Sequence, residues 1–300
     1  MNNIIPVVIT PFTNSGELYV DGVNNLYSYL SSYNVKTLFV SGSYAAFALM
    51  HREMRIELAH ISTNIAKEYD MESIFNIGSS SVDETEILIE ELDKLDISSY
   101  ATIAPYYYSN AGLYGLEDIK RYLTYLVAGT STPLYFYNNG KTTGMDLTAL
   151  ELDYLANETG IAGIKDSSDN IKKLFEISDL SIGQENSSVE YIPGTTASIL
   201  IAGSLNIKKC MSGIFLCFPE LVSKLSNAAN EGRFQEALHL YKQCMKARDI
   251  MGKYGPRPVS AYYVLRNKGV DVGEPKFPWP RLDKVTQSTL FSDLKHHNLL

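Results

Sequence analysis

The stretch GIAGIKDSSDN, residues 160–170, decides how the fold of this chain is interpreted. Residues 161–164 have the length and composition of a buried strand, Lys165 ends the run, and the polar residues after it suit the start of a helix. Lysine is almost never fully buried without a partner or a purpose. The stretch therefore indicates one strand-to-helix unit with an unusual residue at its junction.

Similar units recur along the first two-thirds of the chain. Stretches of helical period, such as VNNLYSYLSSY from residue 23, separate short runs rich in β-branched and aromatic residues. Eight runs are predicted as strands: 5–12, 37–43, 73–80, 100–108, 133–139, 161–168, 189–196 and 209–216. Eight such units predict an α/β fold, a (β/α)8 TIM barrel. A doubly wound open sheet is less favoured, because no GxGxxG follows the first strand.

The strand pattern ends at Pro219, and the remaining sequence has helical periodicity. Its interruptions at 252–258 and 273–283 are rich in proline and glycine and are typical of turns between helices. We therefore predict a barrel with the active site over residues 1–219 and a C-terminal helical region over residues 220–300 that packs on the barrel.

Composition favours a small-molecule substrate. With 26 basic and 34 acidic residues the net charge is −8, which argues against nucleic acid or an acidic membrane surface as a partner. The three cysteines form no CxxC pair, so we expect ordinary buried thiols in a reducing compartment, without a disulfide framework or a zinc site. No run approaches the roughly 18 apolar residues of a membrane span, and the first residues do not look like a leader peptide. A cytoplasmic location is expected.

Strand alternation places Lys165 opposite a tyrosine. If Lys165 points toward the barrel axis, Asp166 points away from its amine and is a poor counterion. On the preceding strand the same alternation turns Tyr135 and Tyr137 inward. Because parallel strands lie about 4.8 Å apart, Lys165 and Tyr137 are predicted to face each other at the mouth of the barrel.

A lysine in that position has a chemical use. Its free pKa of about 10.4 makes it a weak nucleophile, but desolvation disfavours the ammonium and lowers the pKa. The neutral amine can attack a ketone, and the resulting iminium draws electrons from the adjacent carbon–carbon bond. The phenol of Tyr137 can transfer the protons. The alternative for Lys165 is a structural one, in which the side chain reaches the rim or pairs with a carboxylate.

Several motifs in order along the barrel resemble a known family. They are VITPF (8–12), the glycine turn after the second strand, APYYY (104–108), LYFYNNGKTTG (134–144), AGIKDSS (162–168) and PGTTAS (193–198). The chain resembles the pyruvate-dependent class I aldolases of the dihydrodipicolinate synthase and N-acetylneuraminate lyase superfamily, and within it the archaeal 2-keto-3-deoxygluconate aldolases. The resemblance implies a Schiff-base lysine at Lys165, a catalytic tyrosine at Tyr137, a second tyrosine at Tyr107 that reaches a neighbouring subunit's site, and a homotetramer.

One motif departs from the family pattern. The turn after the second strand, usually GTTG, reads Gly42, Ser43, Tyr44 and Ala45 here. In the family the hydroxyls and backbone N–H groups of this turn hold the substrate carboxylate, so Gly42, Ser43 and Tyr44 are candidate binding residues. Ser43 keeps one hydroxyl for the tyrosine relay, whereas Tyr44 replaces a compact threonine with a large phenol.

Other positions bear on the substrate. Thr142 stands where dihydrodipicolinate synthases have an arginine for a carboxylate, and an uncharged group suits a polyol better. Ser109 and Asn110 stand where archaeal relatives that accept phosphorylated sugar acids carry an arginine. Three further residues match positions that bind sugar hydroxyls in these aldolases: Ser167, Gly194 and Thr196. Ser167 and Thr196 have helix N-capping as an alternative.

These observations predict reversible cleavage of 2-keto-3-deoxygluconate to pyruvate and glyceraldehyde, with no metal and no cofactor beyond the covalent Schiff base on Lys165. Within the superfamily, dihydrodipicolinate synthase or N-acetylneuraminate lyase activity is the alternative. A metal-dependent aldolase is disfavoured because none of the five histidines has ligand spacing. A pyridoxal phosphate enzyme, with PGTTAS as phosphate cradle, and a barrel that binds pyruvate-like ligands without turnover remain alternatives.

Overall fold

The computed structural model of the chain describes residues 3–205 and 207–300. Eight strands lie in this part of the chain: β1 Asn3–Pro6, β2 Thr37–Val40, β3 Glu72–Asn76, β4 Ser99–Ile103, β5 Leu134–Asn138, β6 Gly163–Asp166, β7 Glu190–Pro193 and β8 Lys209–Ser212. Nine helices lie between or beside the strands up to residue 202: α1 Val20–Ser31, α2 Arg52–Glu68, α3 Val82–Leu92, α4 Tyr106–Asn110, α5 Leu116–Ala128, α6 Gly140–Thr143, α7 Ala149–Thr159, α8 Ile171–Ser178 and α9 Thr196–Ala202. Four more follow: α10 Pro219–Asn230, α11 Phe234–Lys253, α12 Arg257–Asn267 and α13 Lys284–His296.

The predicted α/β class is confirmed. By the density of its internal contacts the chain divides into two compact units, one formed by residues 74–211 and the other by residues 4–73 and 212–300. The predicted division at residue 219 into a barrel and a helical region stays a prediction. Across the described ranges, no helix is both long enough and apolar enough to span a bilayer.

A parallel sheet organises the unit of residues 74–211. Strands β3, β4, β5, β6 and β7 pair in chain order, each parallel to the next. All four residues of β6 are buried, as expected for a strand covered on both faces. Parallel strands with helices between them bring the carboxyl ends of β5, β6 and β7 to one edge of the sheet, where Tyr137, Lys165 and Pro193 lie.

The register of β5 and β6 confirms the alternation predicted from sequence. Tyr135 pairs with Gly163, and Tyr137 pairs with Lys165. A Cβ on Gly163 would collide with the ring of Tyr135 and would come within 2.7 Å of the carbonyl oxygen of Glu190. Gly163 is therefore required because the Tyr135 ring covers it, and Tyr135, Tyr137 and Lys165 share one side of the sheet.

Local sequence signals explain where the helices begin and end. Thr148 caps α7 by accepting a hydrogen bond from the backbone of Glu151, whose carboxylate in turn accepts from the backbone of Thr148. Gly160 ends the same helix in the left-handed conformation at φ +75°. These two signals fix the start of the segment that leads into β6 and Lys165.

The unit of residues 4–73 and 212–300 contains β1, β2 and the four C-terminal helices. The backbone after β1 is hydrogen-bonded on both sides, from the amide of Val8 to the carbonyl of Phe39 at 3.1 Å and from the amide of Val7 to the carbonyl of Ser212 at 3.4 Å. The buried hydroxyl of Tyr262 on α12 donates to the carbonyl of Thr10. The helical character predicted for residues 220–300 is confirmed by α10 to α13, and Glu274 between α12 and α13 forms an isolated bridge with Phe12.

Several predicted strands are too long. The predicted fourth strand includes Tyr106–Tyr108, yet these residues begin α4, because the chain turns at Pro105 after β4 ends at Ile103. Ser43 lies in a one-turn 3-10 helix instead of in β2, and residues 214–216 after β8 form another. The first strand begins at Asn3, before the predicted Ile5, and ends at Pro6.

Replacing Gly163 with alanine is expected to destabilise the unit of residues 74–211 by about 1–3 kcal/mol, because the new methyl group must displace the Tyr135 ring or the backbone of Glu190. Thermal and urea unfolding measure the effect. Gly129→Ala is the matched control, since a Cβ at Gly129 has its nearest contact at 3.5 Å and the residue has a negative φ. Equal stability of the two variants would contradict this packing.

Candidate active site

Lys165 is buried. It has 2% of its surface exposed, at the carboxyl end of β6. Burial removes water from the amine and holds the pKa of Lys165 well below its ordinary value, with desolvation as the cause. The amine is therefore a nucleophile at a lower pH than a surface lysine.

The amine of Lys165 faces Tyr137 across the strand pair. Its Nζ atom lies 3.6 Å from the centroid of the Tyr137 ring. The two residues are register partners on β5 and β6, and both are buried. The predicted juxtaposition of Lys165 and Tyr137 is thus observed, with the amine over the face of the aromatic ring.

Two side chains hold the hydroxyl of Tyr137. The side-chain amide of Asn139 donates to it at 3.0 Å, and the hydroxyl of Ser167 donates at 3.5 Å. Asn139 is buried. An amide N–H directed at the phenol oxygen favours negative charge there, so this contact suits a tyrosine that gives up and recovers a proton.

Asp166 points away from the site, as predicted. Its carboxylate accepts hydrogen bonds from the hydroxyl of Tyr191 at 2.8 Å and the side-chain amide of Asn138 at 2.9 Å. Asn138 directly follows Tyr137 on β5. Tyr191 on β7 pairs with Ile164, the residue before Lys165, so both donors lie on the side opposite to the lysine. The carboxylate next to Lys165 in sequence is therefore engaged on the helix side of the sheet.

The loops after β6 and β7 bring Ser167 and Gly194 to Lys165. The backbone amide of Gly194 donates to the carbonyl of Asp166 at 2.6 Å, and a Cβ on Gly194 would lie 2.7 Å from Oγ of Ser167 and 3.6 Å from Cε of Lys165. Gly194 thus keeps space open beside the lysine. Thr196 is buried at the start of α9.

The capping alternative for Ser167 and Thr196 is wrong. Asn170 caps α8 by accepting from the backbone of Lys173, and Thr195 caps α9 by accepting from the backbone of Ser198. Asn170 and Thr195 directly precede Ile171 and Thr196, where the two helices begin, so neither Ser167 nor Thr196 occupies a cap position. Ser167 instead contacts the hydroxyl of Tyr137.

Thr142 and Tyr107 lie on the two short helices beyond the strand ends. Thr142 on α6 is exposed and donates to the carbonyl of Asn139 at 3.3 Å. Tyr107 on α4 has 72% of its surface exposed, and its ring lies edge-on to Tyr108. That Tyr107 reaches a neighbouring subunit's site stays a prediction.

The glycine turn after β2 belongs to the other unit, and its part in the site stays a prediction. A Cβ on Gly42 would lie 2.9 Å from a ring carbon of Phe39, so the position requires glycine. Ser43 begins the 3-10 helix Ser43–Ala45. The ring of Tyr44 packs against Gly213, where a Cβ would lie 3.0 Å from its Cζ. Burial raises the pKa of Tyr44, so the phenol keeps its proton.

Two residues near Lys165 were missed from sequence. Asn139 follows Tyr137 by two positions, so strand alternation carried one step further would have placed it on the same side. Lys173 has 4% of its side chain exposed beneath the strand ends, whereas its neighbour Lys172 is 83% exposed. Two adjacent lysines at a helix start give no signal as to which is buried.

The state of the cysteine thiols bears on disulfide and metal chemistry. Cys210, Cys217 and Cys244 are free and buried, as predicted, and burial raises the pKa of each thiol to about 12. Within the described residues, no group of three histidine, cysteine, aspartate or glutamate side chains has the arrangement of a metal site.

The fold and the site define a class: an α/β chain with parallel strands that carries a desolvated lysine amine beside a tyrosine at its strand ends. The chain belongs to the dihydrodipicolinate synthetase family, whose sequence pattern matches residues 1–297.

Similar proteins cover the full length of the chain. A 2-dehydro-3-deoxy-phosphogluconate/2-dehydro-3-deoxy-6-phosphogalactonate aldolase of Sulfurisphaera tokodaii is 23% identical over 98% of this chain and 96% of its own length. A 4-hydroxy-tetrahydrodipicolinate synthase of Methanococcus aeolicus is 21% identical over all of both chains. The structure of a Sulfolobus solfataricus 2-keto-3-deoxygluconate aldolase variant superposes with a TM-score of 0.87 at 22% identity, over 99% of this chain and 96% of that one.

Replacing Lys165 with methionine is expected to stabilise the fold at neutral pH, on the order of 1–3 kcal/mol, because the desolvation cost of the amine disappears. The folded-state pKa of Lys165 is depressed, so between that pKa and the ordinary value the unfolded chain binds more protons. The stability of the unmodified chain should accordingly rise with pH through that window, and the variant should lack this increment.

Urea unfolding at several pH values measures both effects. Lys172→Met is the control, because the side chain of Lys172 is exposed and its loss should leave stability and its pH dependence nearly unchanged. A destabilised Lys165→Met variant with an unaltered pH slope would show that the amine is charged and well solvated in the folded chain.

Proposed function

We propose that the chain is a Schiff-base (class I) aldolase that reversibly cleaves 2-keto-3-deoxygluconate to pyruvate and glyceraldehyde. One observation carries the proposal: the buried amine of Lys165 lies 3.6 Å from the ring centroid of Tyr137. Membership of the dihydrodipicolinate synthetase family supports carbon–carbon chemistry at this site.

Lys165 is the proposed nucleophile. Its neutral amine attacks C2 of the keto acid, and the carbinolamine that forms loses water to give an iminium. The depressed pKa of Lys165 makes the uncharged amine available for the first step. The iminium then accepts the electron pair of the C3–C4 bond.

Tyr137 is the proposed proton carrier. Its phenol gives its proton to the hydroxyl that leaves the carbinolamine as water. The resulting phenolate, held by Asn139 and Ser167, takes the proton of the C4 hydroxyl while the C3–C4 bond breaks and glyceraldehyde departs. The electron pair remains on the lysine-bound fragment as an enamine. Protonation at C3 and addition of water to the imine release pyruvate and restore the amine.

The polar groups around the strand ends favour an uncharged polyol at the far end of the substrate. Thr142 and Asn110 are neutral. Lys141 on α6 directly precedes Thr142 and is the cation nearest to it in sequence. The amine of Lys141 lies 2.6 Å from the carboxylate of Asp169. A carboxylate or phosphate at that end would normally be met by a forked cation. Ser167, Gly194 and Thr196 are proposed to contact the hydroxyls.

Phosphorylated sugar acids are the second candidate. The Sulfurisphaera and Saccharolobus relatives are named for phosphorylated substrates, at 23–26% identity. Synthase and lyase activities also occur among similar proteins: the structure of Proteus mirabilis N-acetylneuraminate lyase superposes with a TM-score of 0.88 at 18% identity. These three substrate types belong in the assay that tests the proposal.

The architecture of the whole enzyme is part of the proposal. We propose that the eight strands close into a (β/α)8 barrel over residues 1–219 and that residues 220–300 pack on it as a helical appendage. The proposal also includes a homotetramer in the cytoplasm, in which Tyr107 contributes to a neighbouring subunit's site. Gly42, Ser43 and Tyr44 are proposed as the turn that binds the substrate carboxylate. The fold-level similarity to solved family members supports the barrel.

Treatment with pyruvate and borohydride is expected to leave a reduced pyruvyl group on Lys165, because hydride traps the imine as a stable secondary amine. Mass spectrometry of peptides locates the group. The Lys165→Ala variant should give no adduct. Lys172 is exposed, so the Lys172→Ala variant should be labelled like the unmodified chain. Labelling of other lysines with Lys165 untouched would overturn the proposal.

An assay panel identifies the substrate. It contains 2-keto-3-deoxygluconate, its C4 epimer, the two 6-phosphates, N-acetylneuraminate, and pyruvate with aspartate semialdehyde. The proposal expects the highest kcat/KM with an unphosphorylated 2-keto-3-deoxy sugar acid. Faster turnover of a 6-phosphate would favour the second candidate, and imine formation without turnover of any member would indicate a ligand-binding protein.

Replacing Tyr137 with phenylalanine should lower kcat by roughly 10²–10⁴-fold, because the proton of the C4 hydroxyl loses its acceptor. Tyr135→Phe is the matched control: it removes a phenol from the same strand, two residues away, whose hydroxyl donates to Glu190. Its kcat should stay within a few-fold of the unmodified enzyme. Similar losses in both variants would mean that the effect comes from β5 packing.

A further inference from the structure

A group of buried and half-buried polar residues lies on the opposite side of the strands from the amine of Lys165. Asn138 and Asp166 are register partners, each directly following Tyr137 or Lys165 in the chain. We define the Asp166 cluster as these two residues with three that contact them: Asp146, Lys173 and Tyr191. It joins the ends of β5, β6 and β7 to α8.

The carboxylate of Asp166 is saturated with donors. Besides Tyr191 and Asn138, the backbone amide of Ser168 donates to it at 3.0 Å and the hydroxyl of Ser168 donates at 2.8 Å. Only 2% of Asp166 is exposed. A buried carboxylate with this many donors is held in one orientation.

Lys173 provides the positive charge of the Asp166 cluster. Its Nζ atom lies 2.6 Å from Oδ1 of Asp146, 2.5 Å from the carbonyl of Leu147 and 3.9 Å from Oδ2 of Asp166. The side chain of Lys173 is 4% exposed, whereas Asp146 is 49% exposed and reaches solvent. The buried ammonium therefore lies between one solvated and one buried carboxylate.

The side of the sheet that carries Lys165 lies opposite the Asp166 cluster. On β5 it presents Tyr135 and Tyr137, and on β7 it presents Glu190. Glu190 accepts from Tyr135 and is paired at 3.0 Å with Lys209 at the start of β8. The carboxylate of Asp166, which follows Lys165 in sequence, lies on the other side, 3.9 Å from the amine of Lys173.

We propose that Lys173 is a positioning residue that holds Asp166 on the helix side of β6 and offsets its charge, so that Lys165 remains an uncharged amine facing Tyr137. The inference rests on the proposed function, because it concerns the same nucleophile. Without Lys173, a buried and unneutralised carboxylate would lie one residue from Lys165. It would favour the ammonium form of Lys165 and weaken the nucleophile at neutral pH.

If the Asp166 cluster has only a structural role, variants of Lys173 and Asp166 should lose stability and activity without a change in the pH dependence of imine trapping. The positioning inference predicts shifts of opposite sign for the two partners. In Lys173→Met, the pH at which imine trapping is half-maximal should rise by about one unit, and in Asp166→Asn it should fall. In the double variant the midpoint should return to within a few tenths of a unit of the original value.

The experiment measures the rate of pyruvate trapping by cyanoborohydride on the full-length chain between about pH 5 and pH 9, the range in which a perturbed lysine titrates. Lys172→Met is the matched control and should keep the original midpoint. Lys173→Arg retains the charge and should keep the midpoint while its maximal rate falls. Circular dichroism melting establishes that each variant is folded at the assay temperature.

The outcomes separate the two proposals. Absence of trapping in the unmodified chain defeats the proposed function. Normal trapping in the unmodified chain, together with an unchanged midpoint in Lys173→Met or midpoints that move in the same direction in both single variants, overturns the assignment of Lys173. If Lys173→Met does not fold, Asp166→Asn decides, since it preserves side-chain size: a lower midpoint supports the inference, and an unchanged or higher one refutes it.

Discussion

The burial of one amine at the end of β6 constrains the rest of the site. Lys165 is desolvated, and the carboxylate next to it in the chain is turned to the other side of the sheet. Desolvation makes the neutral amine the favoured form. A surface lysine would keep its hydration and its charge, so the site depends on keeping water away from this nitrogen.

Strand alternation separates the chemistry from its support. Tyr135, Tyr137 and Asn139 follow one another at every second position of β5 and its continuation, on the same side as Lys165. The intervening residue Asn138 points to the other side, where it contacts Asp166. Two neighbouring strands thereby turn the tyrosines and Lys165 to one side and a charged, hydrogen-bonded layer of side chains to the other.

Periodicity was sufficient to predict the strands, the helices and the facing of Lys165 and Tyr137. Burial on both faces of a parallel sheet gives continuous apolar runs, and successive side chains of any strand point to opposite faces. It failed at Tyr106–Tyr108, where aromatic residues typical of strands form a short helix after Pro105. It also could not distinguish Lys172 from Lys173, or Thr195 from Thr196 as a cap, since these choices depend on where a helix begins to within one residue. The resemblance to class I aldolases led to the family, which the comparison of the whole chain establishes.

The most direct measurement is the titration of Lys165 itself. With lysine isotope-labelled at Cε, the signal that disappears in the Lys165→Met variant can be followed by NMR as the pH is varied. The account predicts that the titration midpoint of Lys165 lies well below the ordinary lysine pKa of about 10.4. The midpoint should move further when pyruvate is added and the imine forms. A midpoint at or above that ordinary value, with no response to pyruvate, would contradict it.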